Sequence, residues 1–227
     1  MRLSSFATCT AEIALAAGME HVALEPSLAF AEKAGASGNL VCRGQSLTCE
    51  AAELRMVLIE SAKIQVLSCF IYPKAAIALP LYAMELVQLG AKPIVAVLDA
   101  VAPAGDSSLS FATSMFTHAH RSVADLENAN DPPAWFQDCR SGHDFFVRPN
   151  RPEDLRRMGL LHLRLVSDYL LALPISGARD QPAAVAFEDF SRHYKDHHAV
   201  NSPGLPLMEK SFGSVWTAHF MQQYFFR

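Results

Sequence analysis

Hydrophobic residues dominate positions 64–101, where four side chains carry a charge: Lys74, Glu85, Lys92 and Asp99. The two lysines adjoin prolines, where turns are expected. Glu85 instead lies in the middle of an apolar run, LPLYAMELVQL. Read with the two-residue period of a strand, this run places Glu85 on one face with Leu81, Ala83 and Val87. The pattern predicts a sheet that carries an acid among apolar side chains.

Four alternating segments predict the strands of this sheet, at residues 53–62, 63–72, 79–89 and 92–101. Gly90 suits a short hairpin loop between the last two. Because tight turns join neighbouring segments, the strands form an antiparallel meander of at least four. A short fifth strand is predicted at residues 143–147.

Helical patterns precede and follow the strands. They cover residues 8–33, interrupted near Pro26, and residues 184–199 and 207–225. Another helix is capped by Asn150 and continues to about residue 173, and the segment 102–133 is rich in loops, with room for a short helix between its breakers. We expect an α/β fold, a three-layer α/β/α sandwich with a central antiparallel sheet flanked by helices, as one domain over residues 1–227.

An acid inside such a sheet has a chemical consequence. Loss of water disfavours the carboxylate and raises its pKa, which leaves Glu85 able to donate a proton near neutral pH. Glu60 is a second mid-strand carboxylate, and the two would share protons if they faced the same side. The alternatives are that Glu85 lies on a wetted face or pairs with an arginine, and that Glu60 is solvated at a strand end.

Composition narrows the function classes. The net charge of −4 argues against nucleic acid as a partner, and no apolar run reaches the roughly 18 residues of a membrane span. The five cysteines form no CxxC pair, which indicates reduced thiols in a cytoplasm. No nucleotide-binding or hydrolase motif is present. His193 and His197 have the i, i+4 spacing of a metal pair but lack a third ligand, so no metal is predicted.

Several segments in the same order resemble the ferredoxin-dependent bilin reductases. LSCFIYP, ALPLYAMELV and VAVLDAV resemble the central sheet of that family, FFVRPN a strand end, and LMEKSFGSVWTAHFMQQYFF the closing helix. The resemblance implies a monomeric enzyme that reduces an open-chain tetrapyrrole such as biliverdin through a substrate radical. It also implies reduced ferredoxin as external electron donor and no bound metal or flavin. A basic surface that includes Arg192, Lys195 and Lys210 would receive the ferredoxin.

The resemblance also implies roles for individual residues. Glu85 matches the substrate-protonating acid and Glu60 a secondary donor, while Arg148 matches an arginine that pairs with a propionate. Ser202 stands where many members have a second acid, and Ser68 where they have His or Asn. The remaining expected site residues are the proton-shuttling His197 and His198 and the substrate-binding Asn201 and Phe70.

Two further functions remain open at this point. AMELVQ is similar to the red chlorophyll catabolite reductase branch, which suggests a linear tetrapyrrole derived from chlorophyll as substrate. The loss of the second acid at Ser202 leaves room for a bilin-binding protein without catalysis. A hydrolase that uses a histidine and a carboxylate has no nucleophile motif to support it.

Overall fold

The fold is built on one antiparallel sheet, seen in a computed structural model that describes residues 2–35, 38–126 and 132–227. The strands in this part of the chain are β1 (Glu20–Val22), β2 (Phe30–Lys33), β3 (Leu40–Thr48), β4 (Ala52–Glu60), β5 (Ile64–Pro73), β6 (Leu81–Leu89), β7 (Lys92–Val101) and β8 (Phe145–Val147). Their spatial order is β1–β3–β4–β5–β6–β7–β8, and β2 pairs with β3 beside β1. The predicted meander is confirmed as β4 to β7.

Helices cover both faces of the sheet. They are α1 (Leu3–Ala16), α2 (Pro26–Ala29), α3 (Leu109–Val123), α4 (Ala134–Gln137), α5 (Pro152–Ala172), α6 (Gln181–Asn201), α7 (Leu205–Phe212) and α8 (Ser214–Phe220), followed by a π-helical turn, Met221–Phe225. Side chains of α1, α3 and α5 form a core with one sheet face, and those of α6, α7 and α8 form a core with the other. The predicted three-layer sandwich is therefore confirmed.

The alternation of side chains decides which core each strand residue joins. In β4, Met56 and Leu58 belong to the core under α1, whereas Val57 and Ile59 belong to the core under α6. Across the sheet, Val57 pairs with Ser68, Ser68 with Glu85, and Glu85 with Val97. Adjacent partners in a sheet point to the same side. This row therefore faces the α6 layer.

The N-terminal region differs from its predicted helical course. Only residues 3–16 form a long helix, and the rest of the segment contributes β1, α2 and β2. The strand β3 was not predicted, and α3 is a 15-residue helix inside a segment that was predicted to be rich in loops. In α5 the cap is Arg151 rather than Asn150, because the Asp154 carboxylate accepts the backbone N–H of Arg151.

The long helix α5 lies beside α1 on the same side of the sheet, where α5 packs against β6 and β7 and α1 against β3, β4 and β5. Together with the turn that follows, Pro152–Ile175 is long and apolar enough to span a membrane by length and composition. One face of it is packed into the core, and Arg164 and Asp168 form an ion pair on the exposed face. A buried apolar face beside a charged one is typical of a core helix.

Candidate active site

A cavity of about 640 Å³ separates the sheet from the α6, α7 and α8 layer. The sheet contributes apolar and small side chains to it, and the helical layer contributes aromatic rings. The principal lining residues are Val57, Ile59, Ser68, Phe70, Ala83 and Glu85 from the sheet, and Tyr194, His198, Met208, Phe220, Phe225 and Phe226 from the helices. Its size and apolar lining are those of a site for a small organic ligand.

One end of the cavity opens to solvent. Its lining there includes the exposed side chains of Lys92, Arg148 and Asn150, together with Ser202 and Pro203 of the α6–α7 connection. Arg148 follows β8, whose pairing with β7 brings it beside the first half of that strand, which begins at Lys92. Two cations therefore border the opening, where they can meet the anionic end of a ligand.

Glu85 lies on the cavity wall in the centre of β6. The hydroxyl of Ser68, its partner on β5, donates a hydrogen bond of 3.2 Å to Glu85 Oε2. Burial raises the pKa of Glu85, and the Ser68 hydrogen bond offsets only part of that rise. In the described part of the chain no cation pairs with this carboxyl group. The arginine-paired alternative therefore does not apply, and the geometry provides a partly buried acid that faces a ligand cavity.

Five other predicted residues line the same cavity: Ser68, Phe70, Arg148, His198 and Ser202. The ring of Phe70 contacts Phe225 and Phe226 edge-on, with ring centroids 5.1 and 5.3 Å apart. These contacts form the inner end of the cavity, away from the charged opening. The cavity thus has an apolar end and a cationic end, with Glu85 in its lining.

Glu60 does not belong to this site. It shares the α1 side of the sheet with Met56 and Leu58, and its carboxylate pairs with Arg43. Glu85 points to the opposite side. The strand register places the two acids on opposite sides of the sheet, so they cannot share protons, and the expected role of Glu60 as a secondary donor is corrected.

The predicted histidines have different environments. His198 lines the cavity, with its ring 4.3 Å from the Tyr194 ring and its Nε2 3.5 Å from Cys139 Sγ. Burial, helped by the neighbouring His197, lowers the pKa of His198 to about 3, so its ring is neutral at physiological pH. His198 can therefore offer a neutral ring as a hydrogen-bonding group, but it holds no imidazolium proton to shuttle.

His197 and Asn201 lie outside the cavity lining. His197 Nε2 is 2.6 Å from the carbonyl oxygen of Trp135, and the exposed Asn201 amide donates to the His197 carbonyl oxygen at 2.9 Å. Their predicted site roles are therefore corrected, since α6 turns both side chains away from the ligand space. Among the described residues, no group of three potential ligands is placed to hold a metal.

Sequence reasoning missed a second buried acid, Asp99, on the same sheet face as Glu85. Its carboxylate accepts hydrogen bonds from the backbone and hydroxyl of Ser141 and from the backbone of Ala100. Burial and the nearby Asp144 raise the pKa of Asp99 to about 7. The signal was present, because Asp99 is also an isolated acid in an apolar strand. Its contacts fix the loop after α4 and leave it behind the cavity wall.

The aromatic C-terminal segment supplies part of the cavity lining and part of the surrounding core. Phe220, Phe225 and Phe226 do line the cavity, whereas Phe212, Trp216 and Tyr224 pack elsewhere. The Tyr224 hydroxyl donates to the carbonyl oxygen of Met56 at 2.6 Å, which ties the segment to β4. The glycine at position 213, with φ of 91°, breaks the predicted single helix so that its end can turn onto the sheet.

Two solved structures share this fold. Phytochromobilin synthase from tomato, solved in complex with biliverdin, aligns with a TM-score of 0.82 and 15% identity over 98% of this chain and 82% of that one. PcyX aligns with a TM-score of 0.55 and 12% identity over 99% of this chain and 98% of the other. At these identities the likeness establishes the architecture.

The family follows from the sequence itself. The family model described as ferredoxin-dependent bilin reductase matches residues 7–227, which is nearly the entire chain. The fold, the cavity and the acid on its wall agree with that match. The chain therefore belongs to the ferredoxin-dependent bilin reductases, which are oxidoreductases of linear tetrapyrroles.

Proposed function

We propose that this protein reduces an open-chain tetrapyrrole of the biliverdin type inside the cavity, with electrons from reduced ferredoxin and protons from Glu85. The observation that carries the proposal is a partly buried acid with a raised pKa on the wall of an apolar cavity of about 640 Å³. The biliverdin bound to tomato phytochromobilin synthase, which has the same fold, supports the choice of ligand.

The cationic opening gives the ligand an orientation. A biliverdin-type tetrapyrrole has an extended conjugated system and two carboxylates. In the proposed pose the conjugated system lies among Phe70, Phe225 and Phe226, and a carboxylate reaches Arg148. An arginine offers a planar fork of donors that suits a carboxylate. The ligand is thereby held by its charged end, with its ring system beside Glu85.

Proton and electron transfer then follow from what each partner can supply. Reduction of one double bond takes two electrons and two protons, and ferredoxin delivers one electron at a time. A one-electron-reduced radical of the tetrapyrrole therefore lies between the two deliveries. Glu85 protonates the pigment as charge accumulates, because its raised pKa favours the protonated form that a general acid needs. The mechanism requires neither a metal nor a flavin.

Glu85 also has to supply the second proton in this scheme. It is the one carboxyl group among the described lining residues, since Ser202 has a hydroxyl and His198 is neutral. We propose that Glu85 is reprotonated by water that enters through the open end. The Ser68 hydroxyl, 3.2 Å from Oε2, holds the carboxyl group in place during this exchange.

The setting of the enzyme is part of the proposal. All five cysteines are free thiols, which supports a reducing cytoplasm. One continuous sheet carries both cores, which supports a single domain over residues 1–227, and we propose that it acts as a monomer.

The test is an anaerobic assay with biliverdin, ferredoxin and a ferredoxin reductase, followed by absorption. Glu85→Gln should lower the rate about 100-fold or more, the scale of a lost general acid, with biliverdin binding retained. The wild-type rate should fall as the pH rises, because deprotonation of Glu85 removes the proton to be transferred. Glu60→Gln is the matched control, since Glu60 lies on the other side of the sheet.

Two results would contradict the assignment. Equal rates for Glu85→Gln and the wild type would remove Glu85 as the donor. Stoichiometric biliverdin binding without a ferredoxin-dependent product would instead indicate a bilin-binding protein. Parallel assays with a chlorophyll-derived linear tetrapyrrole decide the substrate. The comparison is needed because Glu85 reaches one methylene further into the cavity than an aspartate would.

A further inference from the structure

A second concavity lies behind the inner end of the cavity, between α6, the segment 222–227 and the adjoining ends of β4 and β5. It encloses about 750 Å³. Its described lining includes five cationic side chains and three carboxylates. The cations, which define the basic groove, are Arg55, Lys74, Arg192, Lys195 and Arg227, and the carboxylates are Glu53, Glu188 and Asp196. The protein as a whole is acidic, with a net charge of −4, so this surface is a local exception.

The positive charges of the groove are crowded. Burial lowers the pKa of Lys195 to about 8, and the neighbouring Arg55, Arg227 and Lys74 lower it further than the carboxylate of Glu53 raises it. Glu53 is shared, since it pairs with both Arg55 and Lys74. A site with more cations than counter-charges favours an anionic partner, because such a partner relieves the repulsion among them.

A single layer of aromatic rings separates the basic groove from the cavity. Tyr72 lines the groove, Phe70 lines the cavity, and Phe226 lines both. The rings of Tyr72 and Phe70 are nearly parallel with centroids 5.8 Å apart, and those of Phe226 and Phe70 are 5.3 Å apart. On the groove side, the Lys195 ammonium lies 4.5 Å from the Tyr72 ring centroid. A partner seated in the groove is thus one side-chain layer from the ligand.

We propose that the basic groove is the docking site for reduced ferredoxin, an acidic iron–sulfur protein, and that electrons enter the cavity across Tyr72, Phe226 and Phe70. The inference rests on the proposed function. In each delivery one electron leaves the iron–sulfur cluster, which is oxidised, and enters the tetrapyrrole, which is reduced and takes a proton from Glu85. No bond in the aromatic layer is formed or broken.

The other basic place, the cavity opening with Lys92 and Arg148, is less suited to this partner. The proposed ligand already directs its own carboxylates to that end. Electron transfer weakens steeply with distance, so the back wall of the cavity offers a docked protein close approach without competition from the ligand. The groove and the opening thus receive different anions.

Charge reversal tests the docking site. Arg192→Glu and Lys74→Glu alter exposed groove side chains, 64% and 50% exposed respectively, and neither residue contacts the cavity. Each should raise the KM for ferredoxin about tenfold at low salt and flatten its salt dependence. The affinity for biliverdin and the rate with a small chemical reductant such as dithionite should stay at wild-type values. Lys210 was expected in the ferredoxin surface, but the structure places this exposed cation on α7, outside the groove, so Lys210→Glu is the matched control.

The two proposals fail in different ways in this experiment. If neither ferredoxin nor dithionite drives reduction, the proposed function is wrong. If both drive it and the groove variants keep the wild-type KM for ferredoxin, the docking site is wrong. The docking site is also wrong if Lys210→Glu raises the KM for ferredoxin as much as the groove variants do, or if Lys92→Glu alone raises it. It is wrong as well if calorimetry shows that the groove binds inorganic phosphate but not ferredoxin.

The route through the wall has its own test. Both variants remove the hydroxyl that donates to the carbonyl oxygen of Phe225, but Tyr72→Phe keeps the aromatic ring and Tyr72→Leu removes it. Single-turnover reduction by ferredoxin should be near the wild-type rate in the first variant and slowed at least tenfold in the second, with dithionite-driven rates unchanged in both. Equal ferredoxin-driven rates for Tyr72→Leu and the wild type, with melting temperatures within a few degrees, would overturn the route.

Discussion

Two carboxylic acids on one sheet face, Glu85 and Asp99, show how the same burial yields different roles. Both have raised pKa values because they lose water. Glu85 meets a single hydroxyl and faces the cavity, so its proton is available to a ligand. Asp99 is completely buried and its oxygens are occupied by Ser141 and Ala100. The two acids differ because Glu85 faces the cavity and Asp99 faces packed protein, and this difference depends on the fold.

Asp99 should make the protein less stable as the pH rises. Its pKa is about 7 in the fold against an ordinary 3.8, so the unfolded chain ionises first. The contribution of Asp99 to the free energy of unfolding is fully present below about pH 4. It is lost as the pH rises to 7, and it amounts to on the order of 4 kcal/mol. We expect Asp99→Asn to flatten this slope in denaturant titrations, whereas the exposed Asp168→Asn should leave it unchanged. Parallel slopes for wild type and Asp99→Asn would contradict this.

Among the elements, the α5–α6 connection depends on one buried ion pair. The Arg179 guanidinium meets both oxygens of Asp106, at 2.7 and 3.0 Å, and also donates to the carbonyl oxygen of Leu79 at 2.9 Å. Its plane lies over the Phe187 ring of α6 at 3.7 Å. This one side chain therefore joins the loop before β6, the loop before α3 and the first turns of α6, the helix that carries Tyr194 and His198.

Removing this arginine should be costly. Arg179→Met keeps the aliphatic stem but leaves Asp106 without its counter-ion, and we expect a loss of about 3–5 kcal/mol in the free energy of unfolding. Arg164→Met removes the exposed pair with Asp168 and should cost less than about 1 kcal/mol. Urea titration measures both. Adding Asp106→Asn should restore part of the loss, and failure to do so would show that the ion pair is not its cause.

The elements also show what sequence patterns can and cannot predict. Strands β4 to β7 were predictable because they alternate regularly, but β3 contains Gly44, which looks like a strand breaker. A Cβ there would lie 2.5 Å from the Leu28 carbonyl oxygen and 2.9 Å from the Tyr224 ring, so close approach excludes a larger residue. Such a contact joins residues far apart in sequence. For the same reason, the sequence alone did not show that Glu60 and Glu85 point to opposite sides of the sheet, because that depends on pairing between strands.

At the scale of the whole molecule, the two cores differ in what they enclose. The core under α1, α3 and α5 is formed by close-packed apolar side chains, and its buried His162 is bonded to Thr10 and Tyr82 at 2.9 Å on either side. The core under α6, α7 and α8 contains the cavity. The first layer thus supports the sheet, and the second is available to respond to a ligand.

Ligand binding should therefore affect the two layers unequally. We expect biliverdin to slow amide hydrogen exchange in α6, α8 and the turn Met221–Phe225, since a bound ligand stabilises the closed form of the segments it touches. Exchange in α3 and α5 should change little. Mass spectrometry of peptides, with and without the pigment, measures this. Uniform protection of both layers would contradict the division.

The row of paired residues that includes Ser68, Glu85 and Val97 also limits how related chains can vary in length. Removing one residue from the first half of β6 would carry the acid from the pigment side into the packed side, and would exchange the neighbouring hydrophobic residues as well. Natural insertions and deletions in this part of the chain should therefore collect at the hairpin tips near residues 61–63 and 90–91. The strands themselves should keep a constant length.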